Sequence, residues 1–513
     1  MSGAPAARPR IKYLAVLAIA LFASAALAGV YSSSVDHATG HSLSTDTTSS
    51  GNAGTSRTSS ATTCAAAPVA KDQQLSPTTF DAVTEFTVSA NRTPAGIAVN
   101  QTDGSIWFGE WGLPGVGHLF LNGTLTEYAW PYADNSVISE CGQETQIWGV
   151  ALWNGSVWAA DNLYSRLIAV NPSTGQTQEV NLTSQADPYT LAVGAGSLWF
   201  TEDTAPGAIG KLSTDGAVQY YNLPNSKDME SIYMLDQNST LAYVLSLDTS
   251  TFSPVLFTFD PSSATPTFTQ AGGNQTLYEP SGLTLGDGGI WATEHDASAM
   301  AFLNFTTDQW TIYPTSTVPY VPVVLTYFDG SNGSAVWFNE HYTNRMGVIT
   351  DDGRYLTEYS ITDPPLFNIT TILENYNMVT MGLDGNSGAW FAAATAGIVG
   401  FVNASYHPPF SISANSTSVT LAPGGSTQVG IQYSGNVAGS NLSLQFEDNE
   451  FNNGTAKLIT FTPGIIATSS AGLSTFTLTV SASSALAPGA YVAAATVTNG
   501  SIYRSVYFTV IVS

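Results

Sequence analysis

Basic residues are scarce in this chain. It has 13 Lys and Arg against 38 Asp and Glu in 513 residues, which gives a formal net charge of −25. Three of the bases, Arg8, Arg10 and Lys12, come before the first hydrophobic segment. Because binding to a phosphate backbone requires clustered Lys and Arg, the composition argues against a nucleic-acid partner.

Cysteine is also nearly absent, with Cys64 and Cys141 as the two examples. Two cysteines in a chain of this length exclude a fold that depends on a disulfide framework. In an oxidising compartment the two could form one disulfide, which makes them a candidate pair. Two free thiols are the alternative.

Several catalytic signatures are missing as well. The sequence contains no Walker loop, no Cys-x-x-Cys, no His-Glu-x-x-His and no Gly-x-Ser-x-Gly. These absences exclude the common nucleotide-binding, zinc-dependent and serine-hydrolase classes.

The one long apolar run lies near the N-terminus. Residues 13–30 are uninterrupted by charge and follow a basic segment, so residues 1–30 are predicted to be a hydrophobic helix that acts as a signal peptide or as an uncleaved membrane anchor. Residues 31–83 are rich in Ser, Thr, Gly and Ala and are predicted to form a disordered stalk. A stalk favours a tethered cell-surface protein, with a secreted protein as the alternative.

Asn-x-Ser/Thr triplets are frequent beyond the stalk. Fifteen of them lie between Asn91 and Asn499. Several are Asn-Gly-Ser/Thr, which is also a hairpin-turn signal. In an exported chain, this number predicts a glycosylated surface.

A short strand with a Trp recurs through the middle of the chain. It is usually followed by an aromatic residue or an acid, and a degenerate copy around Tyr243 fills the one long gap. Successive copies are 41 to 53 residues apart, a period that is typical of the blades of a β-propeller. The six Trp copies are Trp107, Trp158, Trp199, Trp291, Trp337 and Trp390.

The spacing predicts seven blades over residues 84–404. Each blade has four strands, and the last blade lacks its fourth strand. Residues 84–88 (TEFTV) match the Thr-Glu-aromatic fourth strand of other blades but precede the first blade. We therefore predict that 84–88 pairs with the final blade and closes the ring, which removes two exposed strand edges.

The repeat stops before Pro408. Residues 408–513 alternate apolar and polar residues in about seven short strands that are separated by turn residues. This pattern predicts a β-sandwich that resembles the immunoglobulin-like modules of prokaryotic surface proteins, with a spacer or adhesive role. The predicted fold class is therefore all-β throughout the exported part.

The blades carry a family resemblance. Residues 94–97 (PAGI), 198–202 (LWFTE), 209–212 (IGKL) and 126–128 (TEY) are similar to the repeat of the streptogramin B lyases, also called virginiamycin B lyases. The resemblance covers residues 84–404 and implies a seven-bladed propeller. It also implies a lyase that opens a cyclic depsipeptide at its ester by β-elimination, with histidines as acid or base and Mg²⁺ to stabilise the developing charge.

As the family pattern goes, those histidines replace the second residue of the Pro-x-Gly-Ile strand. Here none of the seven corresponding residues is a histidine, so the residues favour binding over lyase chemistry. Trp148, Tyr189, Ser281 and Asn377 are predicted to line a ligand site at the mouth of the channel, and Glu230, with Tyr189, is the candidate catalytic base. The seven positions are Ala95, Trp148, Tyr189, Glu230, Ser281, Pro322 and Asn377.

A second set of acids ends the second strand of five blades. Repetition places these carboxylates in one ring, where oxygen ligands would suit Mg²⁺ or Ca²⁺. The alternative is that each one hydrogen-bonds within its own blade. Two of the acids precede a histidine, as Glu294-His295 and Glu340-His341, which would allow a transition metal. The five acids are Glu110, Asp161, Glu202, Glu294 and Glu340.

Two functions remain open from the sequence. The first is an extracellular, glycosylated propeller that binds a glycan, a peptide or an envelope protein, and whose contact with the membrane is confined to its N-terminal segment. The second is a divergent lyase that acts by β-elimination on an extracellular ester or polysaccharide, with Glu230 as the base.

Overall fold

The structure is a computed structural model that describes most of residues 72–513. The predicted anchor, most of the stalk, Cys64, Cys141, His295 and His341 lie outside the described residues. Within the described part, no helix is long and apolar enough to cross a membrane. The gaps are 89–92, 112–114, 131–146, 184–185, 203–207, 225–227, 234–240, 249–252, 273–276, 278–279, 295–298, 317–325, 332–334, 341–342, 362–377, 386, 395, 436–441, 449–457, 464–465 and 469–471.

The described chain begins with three short strands and continues as a series of antiparallel sheets. The first three strands are β1 (Gln73–Gln74), β2 (Thr78–Phe80) and β3 (Val83–Thr87). Sheets 1 to 3 then follow, and the four strands of each pair in chain order. Sheet 1 has β4 (Thr93–Val99), β5 (Ile106–Trp111), β6 (Gly115–Leu119) and β7 (Thr124–Ala129); sheet 2 has β8 (Ile147–Trp153), β9 (Ser156–Asp161), β10 (Arg166–Val170) and β11 (Thr177–Asn181); sheet 3 has β12 (Pro188–Gly194), β13 (Ser197–Glu202), β14 (Ala208–Leu212) and β15 (Val218–Asn222).

Sheets 4 to 6 repeat this plan, and sheet 7 has three strands in chain order. In sheet 2, one turn of 3₁₀ helix, Asn162–Tyr164, lies between β9 and β10. Sheet 4 has β16 (Asp228–Tyr233), β17 (Ala242–Asp248), β18 (Ser253–Phe259) and β19 (Thr269–Ala271); sheet 5 has β20 (Pro280–Gly286), β21 (Gly289–Glu294), β22 (Ala299–Asn304) and β23 (Gln309–Pro314); sheet 6 has β24 (Thr326–Ser331), β25 (Ala335–Glu340), β26 (Arg345–Thr350) and β27 (Tyr355–Ser360); sheet 7 has β28 (Met378–Asp384), β29 (Gly388–Ala393) and β30 (Ile398–Asn403).

The repeated Trp-aromatic pair is explained by the way in which the sheets stack. Successive strand residues point to opposite faces of a sheet. Trp199 therefore packs with residues of sheet 4, whereas the next residue, Phe200, packs with residues of sheet 2. Trp107 and Phe108 divide in the same way between sheets 2 and 7. Each pair thus contributes to two different inter-sheet cores.

A glycine on the third strand makes room for the phenylalanine of the pair. Phe200 is directly opposite Gly210, and Phe108 is opposite Gly117. A Cβ atom on either glycine would overlap the phenylalanine ring. The Gly of the Ile-Gly-Lys-Leu repeat is therefore a consequence of the Phe on the neighbouring strand.

The first strands of the sheets contact one another in order. β4 contacts β8, and the contacts continue through β12, β16, β20 and β24 to β28. β28 in turn contacts β4, so the series of contacts returns to its starting point.

Sheet 7 takes its outermost partner from the start of the described chain. β3 pairs antiparallel with β30, with Val83 opposite Val402 and Thr87 opposite Ile398. This is the pairing expected from the Thr-Glu-aromatic match. Phe86 of β3 is fully buried and its ring lies 6.2 Å from that of Trp390. β1 adds a second contact, because it pairs with β7 at the outer edge of sheet 1.

Deleting residues 76–90 should therefore expose β30 and cause the protein to aggregate. Loss of the Phe86 side chain alone removes packing worth about 3–5 kcal/mol. The measurement is thermal unfolding with light scattering. A deletion of residues 31–45, in the predicted stalk, is the control and should leave the melting temperature unchanged. Equal melting temperatures for both deletions would contradict a role for β3 in holding the sheets together.

The C-terminal part forms two sheets that share one apolar core. The first sheet has the order β31-β33-β37-β35 and the second has the order β39-β38-β34-β36, with β32 parallel to β39. Their inward-facing residues, such as Ile431 and Phe508, belong to a single cluster. The strands are β31 (Phe410–Ala414), β32 (Ser418–Leu421), β33 (Ser426–Gly435), β34 (Leu442–Asp448), β35 (Ile459–Thr462), β36 (Ile466–Thr468), β37 (Gly472–Ala482), β38 (Gly489–Thr498) and β39 (Ile502–Val512).

This C-terminal part is joined edge to edge with sheet 6. β27 pairs antiparallel with β39, from Tyr355 opposite Val506 to Tyr359 opposite Ile502. The two regions therefore form one continuous sheet of nine strands. Eight of them have the order β24-β25-β26-β27-β39-β38-β34-β36, and β32 pairs with β39 beside this row.

Candidate functional site

In six of the seven sheets the first strand is irregular near its beginning. The register between the first and second strands shifts there, for example between Pro94 and Ile97, between Ile147 and Val150, and between Pro188 and Leu191. In sheet 6 the shift lies at the other end of the first strand, between Phe328 and Ser331. These β-bulges take the residues between the two paired positions out of the ladder, and bulges commonly redirect side chains next to functional sites. We call the edge of the sheets where first strands begin and second strands end the mouth face.

Two predicted ligand residues meet at this face. Trp148 and Tyr189 occupy the bulges of neighbouring sheets, and their ring centroids are 5.1 Å apart with the planes inclined at 49°. Both residues are half-buried, so part of each stays accessible to solvent.

Close backbone approach sets the separation of these two strands. A Cβ atom on Gly149 would lie 2.7 Å from the carbonyl oxygen of Tyr189. Glycine is therefore required next to Trp148, because any larger residue would push the two first strands apart.

The structure adds none of the other predicted channel residues to the pair formed by Trp148 and Tyr189. Ala95 is fully buried, so it offers nothing to a ligand. The backbones of Glu230 and Ser281 lie in β16 and β20, but their side chains are outside the described residues, as are Pro322 and Asn377. The proposed catalytic pairing of Glu230 with Tyr189 therefore stays a prediction.

Two carboxyl-bearing residues lie where β12, the strand that carries Tyr189, begins. Pro188, the residue before Tyr189, is opposite Glu202, and Asp187 precedes Pro188. Burial raises the pKa of the Glu202 carboxyl, and the nearby Asp187 carboxylate raises it further. Burial also raises the pKa of Asp187. Both groups are therefore protonated more readily than ordinary carboxyls and can donate as well as accept hydrogen bonds.

Two of the five predicted ring acids belong to their own sheets. Asp161 is fully buried and forms an ion pair with Arg166, with Oδ2 and a guanidinium nitrogen 2.8 Å apart. Burial raises the pKa of Asp161 to about 6, against the opposing effect of Arg166. Glu340 is also fully buried and accepts a hydrogen bond from the Thr343 hydroxyl.

Glu340 is part of a larger buried cluster in sheet 6. Burial raises the pKa of Glu340 well above its usual value, and the neighbouring Glu358 carboxyl adds to this effect. Glu358 accepts hydrogen bonds from the Ser316 backbone N–H and hydroxyl, and its Oε1 lies 3.9 Å from the Arg345 guanidinium. These hydrogen bonds and the nearby Arg345 stabilise the buried carboxyls of Glu340 and Glu358. The two acids therefore have a structural role in sheet 6.

Glu110 and Glu294 are buried as well. Within the part of the chain that the structure describes, no three His, Cys, Asp or Glu side chains come close enough to hold a metal ion. The five acids are therefore not gathered at one point among the described residues, and a Mg²⁺ or Ca²⁺ site on them stays a prediction.

The sequence did not single out Asp187, Arg166 or Glu358. Asp187 had a weak signal, because the dipeptide Asp187-Pro188 matches Glu279-Pro280 at the start of another first strand. Arg166 and Glu358 face acids only through strand register, which a sequence period alone does not reveal.

Comparisons with known proteins bear on the fold. No protein-family model matches the chain, and no curated protein matches it. Among solved structures, virginiamycin B lyase from Staphylococcus aureus in its selenomethionine form is 21% identical with a TM-score of 0.50, and the match covers 63% of this chain and 98% of that one. The catalytically inactive form of that lyase with quinupristin gives 20%, 0.51 and the same coverage.

Over this length the chain has a virginiamycin B lyase-like β-propeller fold. A further match, a streptogramin B lyase structure, is 21% identical with a TM-score of 0.46, and covers 63% of this chain and 97% of that one. The two structures with TM-scores of 0.50 and 0.51 confirm, for the fold alone, the resemblance expected from the blade residues. Identities near 20% carry no conclusion about activity.

Proposed function

We propose that the protein is a virginiamycin B lyase-like propeller that binds a glycan at the mouth face. The observation that carries this proposal is the accessible pair formed by Trp148 and Tyr189. Sugar rings present flat C–H faces that pack on aromatic rings, and aromatic side chains supply large contact areas at little entropic cost. Asp187, two residues before Tyr189, and Glu202, opposite Pro188, are the polar groups that would orient the sugar hydroxyls.

The proposed architecture is a closed seven-bladed propeller, with one blade for each of sheets 1 to 7. Support comes from the return of the first-strand contacts from β28 to β4 and from the pairing of β3 with β30. For the C-terminal part we propose an immunoglobulin-like module. Its sheets β31-β33-β37-β35 and β39-β38-β34 have the strand order of a constant-type immunoglobulin sandwich.

The proposed location is the cell surface. The apolar segment at 13–30 and the Ser/Thr-rich stalk support export and tethering, and the frequent Asn-x-Ser/Thr triplets support a glycosylated exterior. In this arrangement the stalk tethers the propeller to the membrane, and the propeller binds external polysaccharides.

The test is binding of the purified ectodomain to an array of defined glycans, followed by calorimetry with the tightest one. Trp148→Ala and Tyr189→Ala should each weaken binding at least about 10-fold, because a central aromatic contact contributes roughly 2 kcal/mol or more. Phe305→Ala is the matched control, since Phe305 is an exposed aromatic (45% accessible) at the opposite edge of sheet 5. It should bind as tightly as the unchanged protein.

The divergent lyase is tested on the same sample. Incubation with a cyclic depsipeptide ester should leave the ester intact if the protein only binds. Appearance of the linear elimination product, together with its loss in Glu230→Gln, would instead support the enzyme. Glycan binding that is insensitive to both Trp148→Ala and Tyr189→Ala would reject the mouth face as the binding site.

A further inference from the structure

The Asn-x-Ser/Thr triplets of the sheets are distributed unevenly between the two edges. The turns that join first to second strands and third to fourth strands all lie opposite the mouth face, and we call this edge the turn face. The turn faces of neighbouring sheets lie on the same side. The Gly385 N–H in the first turn of sheet 7 donates to the Gln101 side chain in the first turn of sheet 1, 3.1 Å away. Five of the six triplet asparagines described in sheets 1 to 7 are at this face: Asn100, Asn122, Asn154, Asn304 and Asn403.

Turn geometry accounts for the asparagine of these triplets but not for the hydroxyl residue. The Asn122 Oδ1 atom accepts the backbone N–H of Thr124 at 3.0 Å, and Asn403 accepts that of Ser405 at 2.8 Å. Any residue other than proline could donate that backbone N–H. The Ser or Thr at the third position is therefore not required by the turn, whereas it is required for attachment of a glycan to the Asn amide.

One triplet can be compared with a turn that lacks it. In sheet 2 the turn is Asn154-Gly155-Ser156, and in sheet 3 it is Ala195-Gly196-Ser197. Asn154 and Ala195 have nearly the same positive φ, 51° and 48°. The turn therefore forms without asparagine. Asn154 is exposed, and no atom lies within 4 Å of the position that a Cβ on Gly155 would take, so the turn faces open space.

We propose that the turn face carries N-linked glycans at its exposed triplets, on Asn122, Asn154 and Asn403, while the mouth face stays open for the ligand. The proposal rests on the export included in the proposed function. The Asn Nδ2 atom forms a bond to the anomeric carbon of a sugar that is activated as a carrier-linked pyrophosphate ester. The bond from that carbon to the pyrophosphate breaks, and the pyrophosphate leaves with the electron pair while the amide releases a proton.

The two faces would then have different roles, with glycans on the turn face and ligand binding at the mouth face. Glycans on the turn face would block its use as a docking surface and would supply hydrophilic surface to a chain in which only 10% of residues are charged. The half-buried pair Trp148 and Tyr189 is then left on the face where a ligand can approach.

Glycopeptide mass spectrometry on the protein purified from its own cells tests this proposal. Peptides with Asn122, Asn154 and Asn403 should each carry a sugar mass. Two matched exchanges sharpen the test. Asn154→Ala should remove one glycan mass without loss of folding, because Ala195 already occupies the equivalent turn. Ala195→Asn should add one, because it completes an Asn-Gly-Ser triplet on the same face.

Unmodified peptides at all three positions would overturn the proposal and leave turn formation as the whole role of these triplets. An Ala195→Asn protein without an added glycan, in cells that modify Asn154, would also overturn it, because exposure and turn geometry would then not decide occupancy. Neither result depends on the binding assay. Failure of the glycan pattern is therefore distinguishable from failure of the proposed ligand site.

Discussion

Removing residues 408–513 is expected to lower the melting temperature of the remaining sheets by more than about 10 °C, or to make them insoluble. The reason is the pairing of β39 with β27 of sheet 6, which we call the seam. Deletion exposes the edge of β27 and uncovers the cluster in which Val492 and Tyr507 pack with Trp291 and Phe338. It also removes the Tyr503 ring, which lies 3.7 Å from the Arg345 guanidinium carbon. Thermal unfolding of the shortened and full chains measures the effect.

A pair of single substitutions separates the seam from the C-terminal part itself. The Tyr507 hydroxyl of β39 donates to the Pro314 carbonyl of β23 in sheet 5 at 2.7 Å, whereas the Tyr491 hydroxyl donates to the Ala487 carbonyl within the C-terminal part at 2.8 Å. Tyr507→Phe removes this buried contact between the C-terminal part and the preceding sheets and should lower the free energy of unfolding by about 1 kcal/mol. Tyr491→Phe removes an exposed hydrogen bond within the C-terminal part and should have a smaller effect. If the shortened chain melts at the temperature of the full one, the C-terminal part is only an attached spacer.

Arg166→Met is expected to destabilise the protein by about 3–5 kcal/mol at neutral pH, because it leaves a buried carboxylate without its partner. Arg166 is 1% exposed and bridges Asp161 and Glu179, at 2.8 and 2.9 Å. Urea unfolding at several pH values is the measurement.

The effect should depend on pH in a defined direction. Because burial holds the pKa of Asp161 at about 6 in the folded protein, above its ordinary value of 3.8, folding favours the protonated carboxyl. Stability from this group is present at low pH and is lost as the pH rises from about 4 through 6. Without Arg166 the pKa rises further, so the loss caused by Arg166→Met should be small at pH 5 and large at pH 8.

Two further variants serve as controls. Asp161→Asn combined with Arg166→Met removes both charges and should recover part of the stability at pH 8. Arg354→Met changes an arginine that is only partly buried and should have a small effect at every pH. An Arg166→Met loss that is the same at pH 5 and pH 8 would contradict a role for the Asp161 charge.

The all-β propeller-like fold could be predicted because its repeat consists of large apolar residues at a regular spacing. Trp199 and Phe200 recur with a regular period since each must fill a gap between sheets, and Gly210 recurs since it lies under Phe200. The partner of β3 could also be predicted from the sequence, because Thr84-Glu85-Phe86 repeats the Thr-Glu-aromatic pattern of the fourth strands.

The seam with the C-terminal part could not be predicted. It is formed by backbone pairing between β27 and β39, strands nearly 150 residues apart, and neither strand carries a side-chain pattern specific to the other. Any strand edge with unpaired N–H and C=O groups can accept another strand, so the choice depends on the assembled shape.

Only part of the candidate site could be predicted from the sequence. Trp148 and Tyr189 were predicted because they replace the same residue of one repeat. The roles of the ring acids depend instead on neighbours. Whether a carboxylate such as Asp161 faces an arginine or a second acid follows from register and burial, which the residue type at the end of a strand does not specify.

Hydrogen–deuterium exchange with the tightest array glycan bound tests the central claim most directly. We expect protection of the segments that begin β8 and β12, with Trp148 and Tyr189, and no change in the turns at Asn154 and Asn304 on the opposite edge. Protection confined to the turn face, or to the C-terminal sheets, would contradict it.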